Sequence, residues 1–150
     1  MERFKSAADA LVERFHTADP FALCGFLDVE LLELPLPAGI RGFYASPLGV
    51  PIVYLNSGLS DPKERAAVCA HELGHALLHT GYNSFFLKQS TDFVTARYER
   101  EADLFAGFLL LDRQTLADCR ANGWTVEQVS RYTALPPRVV EQCLRERGPV

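Results

Sequence analysis

The sequence predicts an α+β fold, with helices enclosing a small, largely local sheet. Apolar residues recur at helical spacing at both ends and through the middle of the chain. One segment, residues 28–56, is instead β-rich and punctuated by proline. The composition, 48% hydrophobic and 23% charged over 150 residues, is that of a globular protein with one sizeable core. A single domain over 1–150 is expected, its C-terminal helical part covering about 112–150.

Phe4, Ala8, Leu11, Val12 and Phe15 share one helical face and predict a first helix over residues 2–16. Asp19-Pro20 supplies a cap and a first-turn proline for a short helix ending near Leu27. "DVELLELPLP" reads as a strand closed by Pro35 and Pro37. "GFYASPLGVPIVYLN" reads as a hairpin around Ser46-Pro47-Leu48-Gly49. Pro51, near the start of its second strand, implies that this strand lies at a sheet edge.

Asp61-Pro62-Lys63-Glu64 opens a long helix, with Asp61 as cap and Glu64 able to reach back to it. That helix is expected to run to Thr80 and to close at Gly81. Residues 81–92 read as a loop carrying Phe85, Phe86 and Leu87, and a second long helix follows over 93–111. Asp112 and Thr125 each cap a shorter helix, and Pro136-Pro137 begins the last.

A net charge of −4 leaves no electrostatic footprint for nucleic acid, so no direct nucleic-acid partner is expected. Cys24, Cys69, Cys119 and Cys143 form no C-x-x-C pair and read as free thiols of a reducing compartment. The N-terminal stretch has no apolar core of a signal peptide, and no run is long enough to span a membrane. A cytoplasmic location is therefore the expectation.

The unusual stretch is "HELGHALLH", residues 71–79, where an apolar helix carries His71, Glu72, His75 and His79. Residues four apart share a helix face, so His71 and His75 can aim two imidazoles at one point. Glu72, rotated by about 100° from His71, can flank that point without ligating it. This is the H-E-x-x-H pattern of two zinc ligands and a general base. A catalytic zinc takes three protein ligands and keeps one position open.

The third ligand is sought in "YEREADLFAGFLL", residues 98–110. Glu99 and Asp103 share a face, so Glu99 can bind the metal while Asp103 orients a ligand histidine. Glu101 points elsewhere and stands as the alternative ligand, or as an ion-pair residue. His79 lies too far along the helix to ligate comfortably and reads as a hydrogen-bonded, partly buried side chain or as part of the cleft wall.

With "HELGHALLH" and "EREADLFAGFLL" in place, the chain resembles the ImmA/IrrE family of small zinc metallopeptidases over residues 19–111. "DPFALCGFLDVELLELP" and "YLNSGLS" are weaker points of likeness. The resemblance implies a zincin-like fold, Zn2+ held by His71, His75 and Glu99, and Glu72 as the base of a peptide-bond hydrolase. It also implies a helix-turn-helix repressor as substrate. The family often ends its second motif in Leu-Leu-Met-Pro, where this chain has Leu110-Leu111-Asp112. The helix is therefore expected to end differently, with Asp112 as a new cap.

Two alternatives accompany this reading. One is a zincin-like protein that binds a repressor without cutting it. The other is DNA binding through the C-terminal helices, where Arg138, Gln142, Arg145 and Arg147 are offset by Glu141 and Glu146. Substrate is expected to lie extended, with strand addition to residues 50–56 if that strand is free at an edge. Tyr54, Tyr82 and Tyr98 are equal candidates to support an oxyanion.

Overall fold

The computed structural model describes residues 1–79 and 93–148, with the backbone alone at 93–95. Helix α1 (Glu2–Phe15) and the short α2 (Pro20–Phe26) precede strands β1 (Glu30–Leu34), β2 (Gly42–Ala45) and β3 (Ile52–Asn56). Helices α3 (Pro62–Leu78), α4 (Phe93–Leu110), α5 (Arg113–Ala121), α6 (Val126–Thr133) and α7 (Pro137–Arg147) complete the order. The mixed class expected from the sequence is the one observed.

The helix starts follow local chemistry. Asp19, Asp61, Asp112 and Thr125 each accept a main-chain N–H in the first turn of the helix they open. Thr125 forms a reciprocal capping box with Gln128. Glu64 faces Arg41 at 3.7 Å, and the first turn of its helix is capped by Asp61. The second long helix ends at Leu110, and Asp112 takes over as the cap of α5.

The strand order is β1-β3-β2, with β1 parallel and β2 antiparallel to β3. This corrects the expected edge position of residues 50–56, because β3 is central and paired on both sides. The proline signal misleads for a simple reason. Pro51 sits just outside the strand, where no N–H is needed, and its carbonyl accepts from Glu30 at 3.0 Å. Strand addition at β3 is therefore closed to a peptide.

Val53 and Leu55 of β3 turn inward with Tyr44 of β2, and all three are buried. Val53 and Leu55 join a continuous apolar cluster that includes Phe4 of α1, Leu73 of α3, Phe105 and Phe108 of α4 and Val139 of α7. Each such side chain contributes on the order of 1.5–3 kcal/mol by leaving water. The C-terminal helices thus complete the core: Val129, Val139, Val140 and Cys143 are all buried in the same cluster.

Two glycines let helices approach closely. A Cβ on Gly74 would lie 3.0 Å from the Phe105 ring and 3.4 Å from the Ala102 backbone. A Cβ on Gly107 would lie 2.6 Å from Val139 and 2.7 Å from Cys143. Gly74 brings α3 against α4, and Gly107 seats α7 on α4. All four cysteines are free and buried.

Candidate metal centre and its cleft

Helix α3 carries the H-E-x-x-H stretch through the interior, with Glu72 1% and His75 0% exposed. Across from it, α4 presents Glu99. The His71 Nε2 lies 3.0 Å from Glu99 Oε2, and the His75 Nε2 lies 3.0 Å from Glu99 Oε1. One carboxylate therefore meets both imidazoles from a separate element. His71, Glu72 and His75 each offer a ligand atom, all within 4.8 Å of one another. A nitrogen-nitrogen-oxygen donor set of this kind suits zinc and similar divalent ions.

The far side of the His71 ring is also engaged. Its Nδ1 lies 2.9 Å from Asp103 Oδ1, and the other Asp103 oxygen accepts from Arg138 at 2.9 Å. The alternative acid, Glu101, faces away from the imidazole pair. It meets His79 Nε2 at 2.8 Å and Arg97 at 3.5 Å, as an ion-pair residue. His79 is buried and is not part of the cleft wall.

Electrostatics follow from this pairing. Burial alone would lower the His71 pKa, but hydrogen bonds to Asp103 and Glu99 outweigh it and raise it to about 10. Burial works to raise Glu99, yet bonds to His71 and His75 hold it below the usual carboxylate range. Asp103 is likewise lowered against its burial, chiefly by His71 and then by Arg138. Without a cation, a proton on His71 holds the two acids together. A divalent ion can take that proton's place.

A cleft of about 720 Å³ opens over these groups, lined by His71, Glu72, Glu99 and Asp103 on its floor and by Arg41 and Arg138 on its walls. The Peptidase_M78 family model, described as IrrE N-terminal-like domain, matches residues 24–145. The chain belongs to this family. Its membership bears out the ImmA/IrrE resemblance and the zincin-like fold, and makes the chain a relative of metallopeptidases.

Among the relatives of this Peptidase_M78 member is "Uncharacterized immunity region protein 2" of Bacillus phage phi105. It is 32% identical over 132 residues, which is 88% of this chain and 83% of the phage protein. "Metallopeptidase ImmA" of Bacillus subtilis (strain 168) is 29% identical over 99 residues, 65% of this chain and 57% of that relative.

Other expected site residues fall elsewhere. Tyr54 stacks on Phe43 at 4.4 Å, and Tyr98 stacks on His79 at 4.0 Å, so neither lines the cleft. Gly81, Tyr82, Phe85, Phe86 and Leu87 lie outside the described residues, whereas the helix expected to reach Thr80 ends earlier, at Leu78, with His79 as its non-helical C-cap. Among the described residues no helix is long and apolar enough to cross a membrane.

Asn56 is a residue that motif reading missed. Its amide donates to the carbonyls of Leu36 at 3.0 Å and Ile40 at 2.9 Å, and its oxygen accepts from Gly58 at 2.9 Å. It thereby holds the loop that delivers Gly39 and Arg41 to the cleft wall. The only sequence signal was a polar residue at the end of an apolar strand.

Proposed function

We propose that this Peptidase_M78 member is a zinc-dependent endopeptidase, with His71, His75 and Glu99 as ligands and Glu72 as general base. The observation that carries this reading is the Glu99 carboxylate, 3.0 Å from each of the two Nε2 atoms, beside the buried Glu72. When bound, the ion supplies Lewis acidity, polarising a peptide carbonyl and bringing the pKa of a coordinated water to about 7. Glu72 takes a proton from the attacking water and passes it to the leaving nitrogen. Asp103 holds His71 by accepting from its Nδ1, and Arg138 holds Asp103.

The substrate we infer is a cytoplasmic helix-turn-helix repressor of a phage, a mobile element or a stress response. Two relatives support this, one named for a phage immunity region and one named ImmA. Co-expression with candidate helix-turn-helix repressors from the same genome, followed by mass spectrometry, tests it. A discrete cut that disappears in Glu72→Gln, with zinc still bound, is the expected result. Undiminished cutting by that variant would remove Glu72 from its role.

A further inference from the structure

His71 has a carboxylate behind it, whereas His75 has another imidazole. The Nδ1 of His75 lies 2.9 Å from the Nδ1 of His79, and the Nε2 of His79 lies 2.8 Å from Glu101 Oε1. We propose that His79 and Glu101 are positioning residues that lock His75 in the tautomer offering its Nε2 lone pair to the metal. The proposal rests on His75 being a ligand.

Proton bookkeeping gives the chain a direction. An ionised carboxylate only accepts, so Glu101 requires the proton of His79 to be on Nε2. The Nδ1 of a neutral His79 is then bare and can only accept. The short contact to His75 therefore needs the proton on His75 Nδ1. That leaves the His75 Nε2 lone pair for a cation held between it and Glu99 Oε1, 3.0 Å away; with no cation there, the ionised Glu99 draws a proton onto Nε2 instead. In the metal-loaded protein, reversing any one link would set two protons or two lone pairs against each other.

The surroundings hold the two rings in register. His79 is 3% exposed and stacks on Tyr98 with planes 21° apart, which restrains its ring. His79 ends α3: its backbone leaves helical geometry at φ −124°, ψ 46°, while its N–H still reaches the His75 carbonyl at 2.9 Å. Arg97, 3.5 Å from the second Glu101 oxygen, favours the ionised acid. Each of the two imidazoles thus has its Nδ1 served, one by Asp103 directly and one by Glu101 through His79. This also accounts for the fourth polar residue of "HELGHALLH", which the ligand set leaves unused.

The test measures metal binding on the full chain. Zn2+ affinity is read by competition with a chromophoric chelator in wild type, His79→Phe, His79→Asn, Glu101→Gln and His75→Ala. His79→Phe keeps the stacking and loses the acceptor, and should weaken binding about 10–100-fold. His79→Asn restores an acceptor and should recover part of that loss. Glu101→Gln, which can accept or donate, should fall between wild type and His79→Phe. Long-range 1H–15N spectra of the zinc-loaded wild type should show protons on His75 Nδ1 and His79 Nε2. A proton on His79 Nδ1, or wild-type affinity in Glu101→Gln, overturns the proposal, even if His79→Phe does not fold. Retention of zinc by His75→Ala would instead overturn the ligand reading beneath it.

Discussion

Arg147, its side chain 5% exposed, donates to both oxygens of Asp9 at 2.8 and 3.1 Å and to the carbonyls of Leu111 and Phe108 at 2.8 Å. His71 and His75, on α3, meet Glu99 toward the other end of α4 and hand their outer nitrogens to Asp103 and His79. Both are knots of charge taken largely out of water, which is costly unless every group is paired. The Arg147 knot balances its charge: one carboxylate and two carbonyls take four of the five N–H donors of one guanidinium. The histidine knot surrounds its imidazoles with Glu72, Glu99, Glu101 and Asp103, and draws a proton onto His71 to compensate. A buried cluster that is acid-rich by design is one that a cation can complete, whereas Arg147 welds α7 to α1 and to the end of α4.

The contrast is broken or sharpened by substitution. Glu72→Gln should cut the hydrolysis rate by about 10²–10⁴-fold without loss of metal, measured by substrate cleavage alongside metal content. The melting curve should hardly move. Arg147→Ala should do the opposite. Removing one partner of a buried pair costs about 3–5 kcal/mol, read by denaturant unfolding, while the metal affinity of the folded fraction stays near wild type. If Arg147→Ala instead lost metal with no loss of stability, the division between the two clusters would fail.

Asp103→Asn should weaken metal binding about 10–100-fold, because a neutral amide is a weaker acceptor for His71 Nδ1–H than the carboxylate and gives up the charge that pairs with Arg138; chelator competition measures this. The smallest effect is a pH dependence of the chelator-treated protein. The His71 pKa is raised from 6.5 to about 10. The stability it contributes is therefore complete below about pH 6.5 and lost as pH rises towards 10. Thermal melts of metal-free protein should fall across that window, and Asp103→Asn should flatten the slope. Metal-loaded protein should not follow the same trend, since the proton and the ion compete for the same nitrogen.

Much of this was legible along the chain because the physics is local. A capping acid, a first-turn proline and a run of apolar residues at helical spacing act within a few positions, and Asp19, Asp61, Asp112 and Thr125 behaved accordingly. The spacing of Glu99 and Asp103 on one helix face likewise led to both being against His71. Pro51 shows the limit. Its missing N–H is a true ladder constraint, yet it lies one residue outside the strand and leaves β3 free to sit at the centre. Asn56 was invisible for a related reason: its partners lie 16–20 residues back, in a loop with no pattern of its own.

By itself the sequence determined the helices, their caps and the pairing of His71 with His75, because each is set by neighbours one turn or less away. The tertiary structure alone decided that Glu99 rather than Glu101 meets those imidazoles, that His79 bridges to Glu101, and that Arg147 finds Asp9 138 positions earlier. Those contacts exist only where separate elements are pressed together by the burial of a shared core, and no local spacing encodes which acid will then face which base.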